Sequence, residues 1–187
     1  TGATWKNESE CKNGKCFYFN GLDQTMIDAD VEDNMNNLTA CTWLNADNLI
    51  NPGSDDMMYV FEKSFVLRIL NDGKIDFRRS TSGSYPEATT SSSIDANQWY
   101  RICGVYYGVG TVPKIFINGE EQNLSLSVAG SGTQTDDSST ILRIGADVTN
   151  SYARNFFGYI DDPKIYNYAL TDEQIKMDYN DGAVNFR

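Results

Sequence analysis

The sequence predicts an all-β fold: a two-sheet antiparallel sandwich with one short helix near the C-terminus. Three observations favour it. Short strand segments recur between turn signals, aromatic residues make up 12% of the chain, and strands do not alternate with helices. The length of 187 residues suits a single domain that covers residues 1–187.

Apolar segments and turn residues alternate along most of the chain. Strands are predicted at 15–19, 25–28, 38–44, 59–62, 65–70, 74–79, 99–107, 114–117, 141–145 and 156–166. The segments 71–73 and 118–119 are predicted hairpin turns, because Asn and Gly accept the positive φ angles that such turns need. The polar segments 80–93 and 131–139 are predicted loops.

One helix is predicted immediately after Thr171. Thr171 and Gln174 have the spacing of a capping box, in which each side chain bonds the backbone N–H of the other residue. Ile175 and Tyr179 are four residues apart and share one face of the helix. We expect the helix to end at 180–182 and to cover one end of the sandwich.

Cys11 and Cys16 bracket Asn13-Gly14, which is typical of a two-residue hairpin turn. Such a turn places both cysteines at a non-hydrogen-bonded pair, where side chains are close enough for a disulfide. A zinc knuckle is the alternative, but the chain has no His and no second cysteine pair nearby. The predicted disulfide indicates an oxidising compartment.

Cys41 and Cys103 leave two alternatives open, a second disulfide or two buried thiols. Three sequons, at Asn7, Asn37 and Asn123, permit glycosylation in a secreted protein.

The formal net charge of −11 argues against nucleic acid and anionic membranes as partners, because both attract clustered cations. No segment reaches the ~18 apolar residues of a membrane helix, so we expect no direct membrane insertion. The chain begins without Met or a signal peptide. We therefore expect a processed chain or a part of a larger surface protein.

The segment 156–171 reads Phe-Phe-Gly-Tyr-Ile-Asp-Asp-Pro-Lys-Ile-Tyr-Asn-Tyr-Ala-Leu-Thr. It resembles the closing motif of laminin-G-like, concanavalin-A-like jelly-roll domains. The segments 17–21, 38–43, 99–106 and 114–119 resemble earlier strands of that family in the same order. The resemblance covers residues 15–180 and implies a jelly-roll sandwich. Pro163 departs from the family's Val, so we expect it at an edge, a bulge or a strand start.

The resemblance also implies a structural calcium ion between the opening and closing strands. Asp161 is its expected first ligand. Asn20, Asp23 and the backbone of Gly21 are expected to add oxygens, because calcium takes six to eight of them. The alternative is that Asp161 or Asp162 caps a turn or forms a salt bridge.

Three tyrosines in or near loops, Tyr85, Tyr107 and Tyr152, are the expected ligand-binding residues. Aromatic faces stack on sugar rings, and binding residues often lie on loops. Packing against the core is the alternative for each of them.

The sequence argues against catalysis. Without His, a Ser-His-Asp triad and a His-ligated metal are excluded. The Glu-x-Asp-x-x-Glu strand by which relatives of this fold cleave glycans is also absent. We therefore expect an extracellular or cell-surface recognition module that binds a glycan or a protein. The alternatives are a structural domain of a surface or filament assembly and a glycan-cleaving enzyme, which would need two carboxylates about 5–10 Å apart.

Overall fold

The structure, a computed structural model, describes residues 3–22, 33–50, 52, 57–147 and 154–180. Within these residues thirteen strands form two antiparallel sheets, which confirms the predicted sandwich. The seven-stranded sheet contains, in spatial order, β1 (Thr4–Lys6), β2 (Cys16–Asn20), β13 (Phe157–Tyr166), β3 (Leu38–Ala46), β8 (Tyr100–Tyr106), β9 (Lys114–Ile117) and β10 (Glu120–Glu121). The six-stranded sheet contains β11 (Leu124–Val128), β7 (Glu87–Ser93), β6 (Lys74–Arg79), β5 (Phe65–Leu70), β4 (Met57–Glu62) and β12 (Arg143–Ile144).

The hydrophobic core lies between the two sheets. Alternate residues of each strand point inward, so Phe19 of β2 and Ile160 of β13 join Phe77 of β6 in the core. Gly104 of β8 allows the sheets to approach closely, since a Cβ there would lie 2.4 Å from the Phe77 ring. The opening strand β2 pairs with the closing strand β13, as the family resemblance implies.

Helix α1 (Asp172–Tyr179) begins with the predicted capping box of Thr171 and Gln174. Ile175 of α1 packs with Cys41, Cys103 and Val105 on the outer face of the seven-stranded sheet. The prediction that the helix covers an end of the sandwich is therefore wrong, because the apolar residues on this outer face need a cover. Among the described residues, no helix has the length and apolar character of a membrane span.

The hairpin turns are confirmed where Asn and Gly have positive φ. Asn118 has a φ of +52° and Gly119 one of +80°, and this pair joins β9 to β10. The predicted loop at 80–93 is wrong in its second half, which forms β7 between β6 and β11. Strands β1, β10 and β11 were not predicted, and the predicted strand 25–28 lies outside the described residues.

Both disulfides are present. The bond between Cys11 and Cys16 confirms the first prediction, and Cys41 of β3 is bonded to Cys103 of β8, directly opposite it. The predicted two-residue turn at Asn13-Gly14 is wrong, since only Gly14 has a positive φ. Instead, β1 pairs with β2 directly and residues 7–15 form the loop between them.

Candidate functional site

Strand β13 has a β-bulge next to the start of β2. Asp161 is opposite Trp43 while Lys164 is opposite Cys41, so β13 has one extra residue between these positions. Asp162 has a φ of +45°, and a proline at 163 has no N–H to donate. The bulge confirms the expectation that Pro163 lies at an irregular strand position.

The buried Arg101 of β8 links this bulge to helix α1. Its Nη1 donates to the backbone oxygen of Asp162 at 2.9 Å, and its Nε donates to Asp178 of α1 at 2.7 Å. Lys164 pairs with Asp162 at 2.8 Å and with Asp178 at 3.0 Å. Burial works against the charge of Lys164, but hydrogen bonds to both carboxylates raise its pKa overall. Asp162 is thus held in place.

A cavity of about 420 Å³ lies beside the bulge. We call it the Trp5 cavity. It is lined by Trp5, Asn13, Lys15, Cys16, Phe17, Ile160, Asp161, Asp162 and Pro163.

Trp5 provides an exposed aromatic surface at this cavity. It is 65% exposed, more than any other large hydrophobic side chain in the described residues. Its ring lies against Phe17 of β2, its partner across the strand pair, with ring centroids 4.0 Å apart. Because β1 is the edge strand of its sheet, the remainder of the indole is open to a ligand.

Two polar side chains of the Trp5 cavity have no partner among the residues that the structure describes. The side-chain amide of Asn13 and the ammonium group of Lys15 make no hydrogen bond or ion pair with any described residue. A concave surface with aromatic walls and a few polar groups that fix orientation is typical of small-ligand sites.

Asp161 organises the loop that supplies these groups. It is 2% exposed, and its Oδ2 accepts the N–H groups of Lys12 at 2.9 Å and Asn13 at 2.6 Å. The Nζ of Lys12 lies 4.6 Å from the Trp43 ring centroid. These contacts and the disulfide hold the 11–16 loop against β13. Asp161 therefore caps a loop in this structure, which was the alternative to a role as a calcium ligand.

The three described members of the expected calcium set do not converge. Asn20 is opposite Phe157, and Asp161 lies four residues further along β13. At ~3.3 Å per residue, Asp161 is therefore roughly 13 Å from the position opposite Asn20. Gly21 lies beside Asn20, and Asp23 is outside the described residues. The cysteine pair 41 and 103 lies near Asp178, but the disulfide prevents both sulfurs from binding a metal.

Two buried polar residues, neither of them marked by a sequence motif, belong to the chain segments at the Asn20 end of β2. Asp147 is 2% exposed and Asn155 is fully buried. Phe156, next to Asn155, donates its N–H to Gly145 at 2.9 Å, and a Cβ on Gly145 would contact the ring of Phe19. Calcium binds carboxylate and amide oxygens. A calcium ion at the Asn20 end of β2 stays a prediction.

The three predicted tyrosines do not form one surface. Tyr85 is 47% exposed and has the Arg78 guanidinium 5.9 Å from its ring centroid, at the six-stranded sheet. Tyr107 packs beside α1, and burial raises the pKa of its hydroxyl. Tyr152 lies outside the described residues. Trp5, by contrast, was missed, because the alternation of Thr4, Trp5 and Lys6 is too short to mark a strand.

In this structure two antiparallel sheets form a sandwich, and the opening strand pairs with the closing strand. This arrangement is typical of the class of lectin-like β-sandwich domains. The chain belongs to the concanavalin A-like lectin/glucanases superfamily, whose family model matches residues 20–176. No curated protein matches the sequence significantly.

Several solved structures share the fold. The binding domain of Paraclostridial Mosquitocidal Protein 1 has a TM-score of 0.71 and 17% identity, over 97% of this chain and 46% of that one. Domain 4 of AbnA, a GH43 extracellular arabinanase from Geobacillus stearothermophilus in complex with arabinotriose, has a TM-score of 0.68 and 19% identity, over 96% and 81%. The binding domain of Botulinum Neurotoxin DC in complex with SialylT has a TM-score of 0.55 and 14% identity, over 80% and 36%.

Proposed function

We propose that this domain is a non-catalytic glycan-recognition module of an extracellular or cell-surface protein, and that it binds a sugar ring in the Trp5 cavity. The observation that carries the proposal is the Trp5 indole, 65% exposed at the rim of a cavity of about 420 Å³. An aromatic face packs against the apolar C–H face of a sugar.

The polar groups of the cavity suit the hydroxyl groups of such a ligand. Asn13 supplies a side-chain amide that both donates and accepts, and Lys15 supplies a cationic donor. Asp162 adds an acceptor whose position is set by Lys164 and the bulge. The similar structures include domains in complex with arabinotriose and SialylT, and the two disulfides suit an oxidising compartment.

The alternative functions lead to different results. A subunit of a filament or surface assembly would form concentration-dependent polymers through an exposed edge strand. A glycan-cleaving enzyme would release reducing sugars from polysaccharides. We expect neither result from the purified domain.

The test is a Trp5→Ala variant, assayed by isothermal titration calorimetry with the glycans that the wild type binds on an array. We expect the dissociation constant to rise about thirtyfold, since an exposed aromatic anchor contributes roughly 2 kcal/mol. Tyr85→Ala serves as the comparator and Leu126→Ala, an exposed residue of β11, as the control. If Tyr85→Ala loses binding and Trp5→Ala keeps it, the Trp5 cavity is not the site.

We also propose a structural calcium ion at the Asn20 end of β2. The family resemblance favours it, together with the buried, oxygen-bearing side chains of Asp147, which also pairs with Arg154 at 3.4 Å, and of Asn155. Asp161 is left out of this set, because its carboxylate caps the 11–16 loop.

A further inference from the structure

A second aromatic surface lies on the outer face of the seven-stranded sheet. Tyr159 of β13 is directly opposite Tyr18 of β2 on one side and Asn45 of β3 on the other. Trp99 precedes β8 and continues the same row, with its ring centroid 6.1 Å from that of Tyr159. The rings of Tyr18 and Tyr159 lie 4.9 Å apart. We call Tyr18, Tyr159, Asn45 and Trp99 the aromatic row.

The aromatic row points away from the core. Neighbouring strand residues face opposite sides of a sheet, and the neighbours Phe19 and Ile160 are core residues. The three rings of the row remain partly exposed. The row crosses four strands, so its ends are roughly 14 Å apart at ~4.8 Å per strand. This length accommodates several sugar units but exceeds the size of one ring.

Polar groups accompany the rings of the row. The Tyr18 hydroxyl donates to Asp47 at 2.9 Å, and burial together with this bond raises the pKa of Tyr18 to about 12. The Oδ1 of Asn45 is buried and accepts no hydrogen bond in the described residues. An unpaired buried acceptor is uncommon, and this one lies within the row, between Tyr159 and Trp99.

One side of the aromatic row has a wall. The adjacent row contains Trp43, which is only 4% exposed because Lys12 of the 11–16 loop and Tyr179 of α1 both lie against it. The loop and the end of α1 therefore border the rings, and Asp47 lies on the other side. The result is a strip with an aromatic floor and polar borders.

The charges around the row favour a neutral ligand. The Nζ of Lys6 lies 5.1 Å from the ring centroid of Tyr18, and it pairs with Glu10 at 3.0 Å. Single-stranded nucleic acid also stacks on aromatic rings, but it requires a cationic groove, and the chain has a net charge of −11. A neutral chain of sugars presents apolar faces to the rings and hydroxyls to Asp47 and Asn45.

We propose that the aromatic row is a second binding surface, and that its ligand is a neutral oligosaccharide or polysaccharide chain of at least three sugar units. The proposal extends the proposed function to a separate site: the ligand class is shared, but the residues are not. Trp5 points to the inner side of the sheet with Phe17, whereas Tyr18 points to the outer side.

The experiment measures retention by arabinan, xylan, mannan and mixed-linkage β-glucan in affinity gels, followed by calorimetry with oligosaccharides of increasing length. It uses Trp99→Ala and Tyr159→Leu in the wild type and in the Trp5→Ala background. Tyr159→Phe keeps the ring and is the matched control, and circular dichroism checks the fold of each variant.

We expect Trp99→Ala and Tyr159→Leu each to weaken polysaccharide binding about tenfold or more, as for other stacking platforms. Tyr159→Phe should bind like the wild type. In the Trp5→Ala background, the remaining binding should increase with chain length and disappear with Trp99→Ala.

The outcomes separate the two sites. If Trp5→Ala alone abolishes all binding, the Trp5 cavity is the binding site and the aromatic row is not a binding surface. Row variants that bind like the wild type would also exclude the aromatic row. If the row variants lose binding and Trp5→Ala keeps it, the aromatic row is the binding surface and the Trp5 cavity is not. Failure of the wild type to bind any of the four polysaccharides overturns the row.

Discussion

Asp137 and Arg79 form a charged pair that is excluded from solvent. Arg79 is fully buried and Asp137 is 1% exposed. The Nη1 of Arg79 lies 3.4 Å from Asp137, and both bind the hydroxyl of Ser64. Burial lowers the pKa of Arg79, and the charge of Asp137 opposes this change. The other oxygen of Asp137 accepts the Asn34 N–H at 2.6 Å, so the pair connects loops that are distant in sequence.

We predict that Asp137→Ala destabilises the fold by about 3–5 kcal/mol, because it leaves the charge of Arg79 buried without its carboxylate counter-ion. Asp136→Ala is the matched control. Asp136 is an exposed neighbour that also contacts Asn34, and its loss should cost about 1 kcal/mol or less. Urea denaturation followed by fluorescence measures both changes. Equal effects of the two variants would contradict the structural role of the buried pair.

Individual residues differed in how far the sequence predicted their roles. Pro163 could be placed at an irregularity because proline has no N–H. The closing motif allowed Asp161 to be selected as a candidate residue. Its contacts with Lys12 and Asn13 could not be predicted, because Asn13 and Asp161 are 148 residues apart in the sequence. Trp5 could not be selected, because its exposure results from the edge position of β1.

At the level of elements, strands with strong alternation or Asn-Gly turns were predicted correctly. β7 was not, because Ser and Thr at 89–93 are equally common in loops. In the structure Thr89 bonds Asp76 across the outer face, and Thr90 bonds the N–H of Ile75. Hydroxyl groups thus satisfy partners that only the assembled sheet provides. The conformation of the 11–16 loop was predicted wrongly for a related reason. Its backbone N–H groups bind the carboxylate of Asp161, which is distant in the sequence.

The two disulfides should contribute differently. Replacing Cys11 and Cys16 by Ser should cost about 2 kcal/mol and replacing Cys41 and Cys103 by Ala about 4 kcal/mol, because the second bond closes a much longer loop. We expect the first change to weaken glycan binding at the Trp5 cavity several-fold, since it loosens the loop that carries Asn13 and Lys15.

Guanidinium denaturation and calorimetric titration of the folded variants measure these two effects. Retention of full affinity by the Cys11→Ser, Cys16→Ser variant would contradict a role of the loop in binding. An equal loss of stability in both double variants would contradict the chain-entropy explanation.

At the scale of the whole molecule, the edge formed by β1 and β2 serves both proposed surfaces. Trp5 and Phe17 face the cavity, while Tyr18 belongs to the aromatic row and Lys6 lies beside its ring. One pair of strands thus presents aromatic rings on both sides of the sheet. A domain of this kind would bind two segments of glycan at once, and this would raise its apparent affinity for long polymers over short ones.

The proposed calcium ion also concerns the whole molecule, because it would connect the end of β2 with the segments around Asp147 and Asn155. We predict that a chelator lowers the melting temperature by about 5–10 °C, as expected when an ion present at ~100 times its dissociation constant is removed. Differential scanning calorimetry with and without EDTA measures the shift. Asp161→Asn is the control and should keep the full difference, because Asp161 caps the 11–16 loop at the other end of β2. An unchanged melting temperature in EDTA would exclude a structural calcium ion, and loss of the difference in Asp161→Asn would place the ion at the bulge instead.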